Sequence, residues 1–330
     1  MKILVISDSL RSLPAAVEAL DSSGHELAYV DGLVPFRELA ARGNTDIASA
    51  DAIVMGRVME TDAGALSLAR KARVIALHTS GTDNIDLEAA AERGIAVTNV
   101  RGVNAEQCAE FSIGLMIAIT RQIRKGDIEI RAGRWAHAVG GSMDLYGATF
   151  GMVGLGQIGR AAARRAHAFG MKILCHTRTP DPDFGDRLGI GFVSLDEVME
   201  RSDVVSVYAS LNPTTRGMIG AGQIARMKPS AFFVNIARGE LVDEAALARA
   251  LKDRRIAGAA LDVFEQEPLT ESPLFALENT VLTPHLAGLT HGAMSDAAVT
   301  AVRNALAVLD GRPALNPMNS PQRTTNGAPA

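Results

Sequence analysis

The sequence predicts an α/β protein of two doubly wound parallel-sheet domains, the second inserted into the first. Three observations carry this. Short β-branched runs alternate with helical patterns of about 10–15 residues almost from the first residue. A glycine pattern, Gly154-x-Gly156-x-x-Gly159, interrupts the alternation in mid-chain. A lone helical pattern follows the last strand-like run, as if the chain returned to its starting domain. With 330 residues there is material for two ordinary domains.

In order, "KILVIS" reads as the first strand rather than a signal peptide, because its apolar part is short and Asp8 follows. A helical stretch around Ala15 to Leu20 comes next. Then follow "HELAYV" and "FRELAARG", "DAIVMG" and "AGALSLARKA", "VIALHTS" and "DLEAAAERG", and finally "AVTNV". These five strands make one α/β domain. A longer helix is expected over about Ala105 to Lys125, then the polar loop "RAGRWAHAVGGSMDLYG". The second series has the strands "TFGMVG", "MKILCH", "DVVSVYA", "AFFVNIA", "IAGAALDV" and "NTVLTP". A last helix spans about Gly292 to Leu309. The domains are therefore expected at 1–101 with 287–330, and at 102–286. The end "RPALNPMNSPQRTTNGAPA" has four prolines and no periodicity, so disorder is expected from about residue 318.

The chain is 47% hydrophobic and 21% charged, with net charge −4 and pI about 6.0. That is a soluble globular profile with no electrostatic case for nucleic acid or an anionic membrane. The apolar run "FSIGLMIAI" is too short to span a bilayer. Two cysteines, Cys108 and Cys175, lie in patterned apolar segments without metal-site spacing. Reduced thiols and a cytoplasmic location are expected, and no metal.

The glycine pattern gains meaning from its context, a strand before it and the helical "RAAARRAHAFG" after it. Gly154 permits the tight turn, Gly156 lets backbone approach a pyrophosphate, and Gly159 lets the helix pack on the strand. The helix N-terminus, with Gln157 and Ile158, faces the phosphates. This is the fingerprint of a Rossmann-type dinucleotide domain. Three further residues fall just beyond predicted strands: Arg238 in "VNIARGELVD", Glu267 in "LDVFEQEP" and His285 in "LTPHLAG". Singly, each reads equally as a surface cation, a solvated acid or a locally bonded imidazole. Together, at the strand ends where open α/β sheets bind ligands, they suggest acid–base chemistry beside an anion clamp.

At these motifs the sequence resembles the D-isomer-specific 2-hydroxyacid dehydrogenase family. The likeness runs from "HTSGTDNIDLEAAAERGIAVTNV" through "VNAEQCAEFSIGLMIA" and "GLGQIGR" to "KPSAFFVNIARGELVDEAAL", "GAALDVFEQEP" and "TPHLAG". It implies a Rossmann-type cofactor domain inserted into a flavodoxin-like substrate domain, with the site in the cleft between them, and usually a homodimer. It places the catalytic arginine on Arg238, the acid on Glu267 and the histidine on His285. It also places the nicotinamide-orienting aspartate on Asp262, a further cofactor position on Ala237, and the substrate-carboxylate loop on Ser80 and Gly81. A 2-keto acid suits this set. Arg238 offers a permanently charged fork of donors, and His285 can give or take the proton on the substrate oxygen, oriented by Glu267. His78, in the same loop region as Ser80, is read as shaping that loop.

The sequence also departs from the family pattern. The acid that holds the adenosine ribose in NAD-preferring members falls by spacing on Thr177, followed by Arg178 and Thr179. An acid there repels a 2′-phosphate, whereas hydroxyls and an arginine accept it. NADP(H) is therefore the expected cofactor, with NAD(H) possible if Arg178 simply points to solvent. His176 is either a contact to the cofactor's ribose or phosphate or an exposed turn residue. The family's "HxPL" His and Pro become Tyr208 and Ser210, positions expected to line the adenosine side of the cleft. Gly56, with Arg57 beside it, stands where phosphoglycerate dehydrogenases often carry an arginine, and no C-terminal regulatory domain is expected. The reading is a glyoxylate/hydroxypyruvate-type reductase of a small anionic 2-keto acid. Its rivals are an NAD-dependent D-3-phosphoglycerate or other D-2-hydroxyacid dehydrogenase, and a nucleotide-sensing corepressor-like binding protein.

Overall fold

The computed structural model describes residues 1–7, 9–32, 34–56, 60–135 and 142–321. The chain divides into two compact units, residues 1–104 with 289–330, and residues 105–288. Each has its own parallel sheet.

The strands of the first unit are β1 (Lys2–Ile6), β2 (Glu26–Val30), β3 (Ala52–Met55), β4 (Val74–Leu77) and β5 (Ala96–Thr98). Their order is β2-β1-β3-β4-β5, the flavodoxin-like winding. The strands are apolar at nearly every position because helices cover both faces. Leu4, Ile6, Ile53 and Met55 face one layer with Phe36, Leu39 and Ile47. Ile3, Val5, Val54 and Ala76 face the other, where the last helix, His291–Leu309, brings Ala298, Ala301, Val302 and Ala305. Small alanines let that helix lie close on the sheet, which fixes the return of the chain to this unit.

The second unit has β6 (Thr149–Val153), β7 (Lys172–His176), β8 (Ile190–Phe192), β9 (Val204–Val207), β10 (Phe232–Asn235), β11 (Gly258–Leu261) and β12 (Thr280–Leu282). The order β12-β11-β10-β9-β6-β7-β8 is the Rossmann winding with one added strand. Phe150 and Met152 pack on the helices Ala105–Thr120 and Gln157–Ala168, while Val205, Val207 and Phe233 pack on the opposite layer. Phe233 is fully buried, so truncating it to alanine would cost about 3–5 kcal/mol.

Three expectations need correction. Strand β8 was not anticipated: its three residues follow Gly189, whose φ of +65° ends the helix Pro182–Leu188, and so short an edge strand carries no period. The helix expected to Lys125 stops at Thr120. Gln122 takes φ +53°, and a separate helix runs Ile123–Arg131; the turn contains neither Gly nor Pro, so nothing in the sequence marks it. Disorder does not begin at 318. The Met318 N–H donates to the Val97 carbonyl at 2.8 Å, Asn319 Oδ1 accepts from the Val97 N–H at 2.9 Å, and Met318 packs on the core. Strand β5 is an edge, and these residues satisfy the backbone groups it leaves unpaired. Residues 322–330 lie outside the described residues.

Candidate active site

Because every strand of the second sheet runs the same way, the loops after β6, β7, β10, β11 and β12 emerge at one edge. The strand order reverses between β6 and β9, and there Gly154 makes its turn with φ +106°. A Cβ on Gly154 would lie 2.6 Å from the Ala209 nitrogen, and one on Gly159 would lie 2.6 Å from the Gly154 carbonyl oxygen. Neither position tolerates a side chain. Gly156 differs: among the described residues a Cβ there would meet nothing within 4 Å. It precedes the helix Gln157–Ala168, and among the described residues no side chain caps the first N–H groups of that helix. An open, uncapped helix start at a switch point suits a pyrophosphate, so the residues present fit a dinucleotide.

Beyond β7, Thr177 is half-buried while Arg178 and Thr179 are exposed. Arg178 has no ion pair among the described residues. The first acid of this loop, Asp181, is engaged elsewhere. Its carboxylate accepts from the Phe184 N–H at 3.0 Å and from Arg160 at 2.7 Å. These two partners hold it below the usual carboxylate range. His176 is half-buried, its Nδ1 3.4 Å from the Val193 carbonyl oxygen.

The loops after β10, β11 and β12 are neighbours, and they bring the three expected residues to one corner. Asn235, buried at the end of β10, accepts from the Ala237 N–H at 3.0 Å and donates to the Arg238 carbonyl at 2.9 Å. Arg238 Nη1 donates to the Ala237 carbonyl at 2.7 Å. Gly239 then presses on the next loop so closely that a Cβ would overlap Phe264. That contact ties the arginine loop to the chain leading to Glu267. Glu267 Oε1 accepts from the Phe264 N–H at 3.2 Å, and Oε2 lies 2.7 Å from His285 Nδ1. His285 is in the left-handed region at φ +55°, which costs a non-glycine residue about 1–2 kcal/mol. Its N–H donates to the Asp262 carbonyl at 2.8 Å.

Asp262 explains how that turn is held. Its side chain is fully buried. One oxygen accepts from the Thr283 hydroxyl at 2.5 Å and the Leu286 N–H at 2.8 Å, and the other accepts from the Ala287 N–H at 2.9 Å. The residue expected to orient a nicotinamide is thus, in its observed contacts, the brace of the His285 turn. Cys108 lies nearby, and burial pushes its thiol up to about 11.

Sequence reading did not find Gly239 or Asn235; a polar residue ending the apolar run "FFVN" was the available signal. Tyr208 requires a correction. Its side chain turns inward: it is 8% exposed, and its hydroxyl lies 2.7 Å from Ser112 Oγ on the helix Ala105–Thr120, while its backbone lies against the Gly154 turn. It shares the face of Ser206, two residues earlier, which points into the same layer. Burial pushes its phenol up to about 12. Ser210 is exposed. Ser80 and Gly81 belong to the first unit, in the loop after β4. His78, in that loop, hydrogen-bonds with Ser7 Oγ at 3.4 Å; burial lowers its imidazole to about 4. Arg57 lies outside the described residues. Among the described residues no cluster of His, Cys, Asp or Glu could hold a metal, and no helix is long and apolar enough to cross a membrane.

A Rossmann-order sheet with its glycine turn at the switch point and a His–Glu pair on the loops after its last two strands has the build of a nucleotide-dependent oxidoreductase. Comparison with known proteins makes the class specific. Residues 113–287 match the model of the D-isomer specific 2-hydroxyacid dehydrogenase NAD binding domain. The chain is 43% identical over 266 residues to a glyoxylate reductase of Korarchaeum cryptofilum, covering 79% of this chain and 80% of the relative. It is 36% identical over 311 residues to a D-3-phosphoglycerate dehydrogenase of Mycobacterium bovis, covering 94% of this chain and 57% of the relative. The crystal structure of a glyoxylate reductase from Paecilomyes thermophila superposes with a TM-score of 0.86 at 33% identity, covering 96% of this chain and 98% of that one. The chain belongs to the D-isomer-specific 2-hydroxyacid dehydrogenase family, oxidoreductases that act on the CH–OH group.

Proposed function

We propose that the chain is an NADP(H)-preferring reductase of small 2-keto acids, of the glyoxylate/hydroxypyruvate type. The observation that carries this reading is the His285–Glu267 pair at 2.7 Å, in a loop adjoining that of Arg238. When bound, the nicotinamide cofactor supplies the hydride that reduces the keto carbon. The Arg238 guanidinium binds the substrate carboxylate and carbonyl oxygen through parallel N–H groups. The loop of Ser80 and Gly81 adds backbone donors to the carboxylate. With Nδ1 held by Glu267, the His285 ring presents Nε2 to give its proton to the carbonyl oxygen in reduction and to take it back in oxidation.

The cofactor preference is supported by Thr177 at the position of the ribose-binding acid, by an exposed Arg178 without an ion pair among the described residues, and by Asp181 being drawn off by Arg160. Initial rates with glyoxylate, hydroxypyruvate, pyruvate, phenylpyruvate, 2-ketogluconate and phosphohydroxypyruvate, each with NADPH and NADH, test the whole reading. Glyoxylate or hydroxypyruvate with NADPH should lead. A lead for phosphohydroxypyruvate with NADH would establish the phosphoglycerate alternative, which the 36% identity over 311 residues keeps in view.

We also infer a cytoplasmic homodimer. The support is two buried free thiols and the exposure of Ile123, Ile128, Ile130 and Trp135 on and just after one helix. Sedimentation of the purified chain would show twice the monomer mass.

A further inference from the structure

The loop after β4 carries two successive peptide groups whose carbonyls are held by side chains of the same unit. Asn99 Nδ2 donates to the Ser80 carbonyl at 2.7 Å, and the Thr79 hydroxyl donates to the Gly81 carbonyl at 3.1 Å. A trans peptide is planar, and its N–H points opposite to its C=O. Holding the Ser80 carbonyl therefore aims the Gly81 N–H the other way, and holding the Gly81 carbonyl does the same for the Thr82 N–H. Among the described residues neither N–H has an acceptor. The Ser80 hydroxyl is turned back onto the Val100 carbonyl and Asn104 Oδ1, each at 3.3 Å, so the loop offers backbone rather than hydroxyl donors. Two adjacent N–H groups without an acceptor among the described residues are donors that an anionic group can satisfy.

Asn99 is built for this placement. It is 3% exposed, and its backbone is clamped on both sides. Its N–H donates to the Asn316 carbonyl at 3.2 Å, and its carbonyl accepts from Nδ2 of the fully buried Asn304 at 2.9 Å. Asn316 Nδ2 in turn donates to Asn304 Oδ1 at 3.2 Å. The Asn99 Oδ1 is buried and has no partner among the described residues, a destabilising feature. Turning the amide over would set that oxygen against the Ser80 carbonyl, so the donor position is the one that is kept.

We propose that Asn99, seconded by Thr79, is a positioning residue for the substrate, orienting the Gly81 and Thr82 N–H groups to receive the carboxylate of a 2-keto acid. This rests on the 2-keto acid reading above and extends it to side chains that do not touch the substrate. Asn304 and Asn316 make the last helix and the segment after it part of the same support.

The test uses the full chain with Asn99→Asp, Thr79→Val and Thr79→Ser. Asn99→Asp keeps the shape and loses the donor; Thr79→Val loses the hydroxyl that Thr79→Ser retains. Asn99→Asp and Thr79→Val should each raise the KM for glyoxylate about tenfold and leave the KM for NADPH within about twofold. Thr79→Ser should stay near wild type. In ¹⁵N-labelled protein, oxamate should move the Gly81 and Thr82 amide resonances in wild type and Thr79→Ser, and do so only at about tenfold higher concentration in the other two. If Asn99→Asp does not fold, the Thr79 pair decides alone. Unchanged glyoxylate KM and unchanged oxamate titration would overturn the proposal, as would KM values for glyoxylate and NADPH that rise together. Wild type that reduces no 2-keto acid, yet shows the oxamate shifts and their loss in the variants, would refute the reductase reading and leave the positioning role standing. Absence of any oxamate effect on Gly81 in wild type would refute the positioning role itself.

Discussion

Two histidines stand just beyond the ends of parallel strands, one in each unit, and they differ in everything that decides chemistry. His78 follows β4. Its surroundings lower its imidazole to about 4, and burial is the cause. It is neutral throughout the ordinary pH range and makes a hydrogen bond to a serine. His285 follows β12, is a third exposed at its side chain, and has a carboxylate oxygen 2.7 Å from Nδ1. The residue type and the topological position are alike. Burial without charge makes one a packing element; a paired carboxylate and access to solvent make the other a candidate for proton transfer. The arginines divide in the same way. The Arg238 loop is braced by the buried Asn235 and by the contact at Gly239, while Arg178 is exposed on its loop. Fixed geometry suits a reacting group, and an exposed charge suits a choice between two cofactors.

The contrast breaks if His285 can be removed cheaply. His285→Ala should lower kcat by about 10²–10⁴-fold, the usual contribution of a general acid, while the KM for NADPH changes little; steady-state kinetics would show it. Near-normal turnover would strip His285 of its role. His78 should instead appear in stability. Its folded value of about 4 lies below the ordinary 6.5. The unfolded chain therefore binds the extra proton first as pH falls. The contribution is fully present above pH 6.5 and is lost as pH drops toward 4, amounting to about 3 kcal/mol over that window. Urea unfolding at pH 7 and pH 4.5 should show His78→Gln losing less stability on acidification than wild type. An equal loss would mean that His78 titrates normally.

The arginine contrast is sharpened by Arg178→Ala, which should raise the KM for NADPH about tenfold and leave that for NADH nearly unchanged, the size of one exposed charge-assisted contact. Thr177→Asp should turn the preference toward NADH by restoring the acid. Ratios of kcat/KM for the two cofactors in the three proteins decide this; an undiminished NADPH efficiency in Arg178→Ala would show that the loop does not read the phosphate. The smallest effect is expected for Glu267→Gln. The kcat for keto acid reduction should fall about fivefold, because a neutral amide accepts from Nδ1 more weakly than a carboxylate. An unchanged kcat in steady-state kinetics would show that the charge of Glu267 is not needed to hold the ring.

Much of this architecture was legible in the chain. Runs such as "AIVM" and "FFVN" are apolar at nearly every position because both faces of a parallel sheet are covered, and that pattern survives in one dimension. The glycine spacing marked the switch point because only glycine fits where backbone passes within van der Waals contact, as at Gly154 and Gly159. Position beyond a strand end was enough to propose Arg238, Glu267 and His285. Sequence by itself also placed Thr177 and Arg178 on the loop after β7, since loop chemistry there is a matter of which residues follow the strand. Tertiary structure alone decided the rest, because it depends on contacts between residues far apart in the chain. Asp262 braces the turn of His285 from 23 positions away. Tyr208 turns into the core toward Ser112 rather than outward, and Met318 and Asn319 are ordered by the free edge of β5. Asn99 reaches the Ser80 carbonyl only because Asn304 and Asn316 return from the end of the chain to hold it. A hydrogen bond between distant segments leaves no periodic trace, and the environment that makes one histidine inert and the other available exists only after the chain has folded.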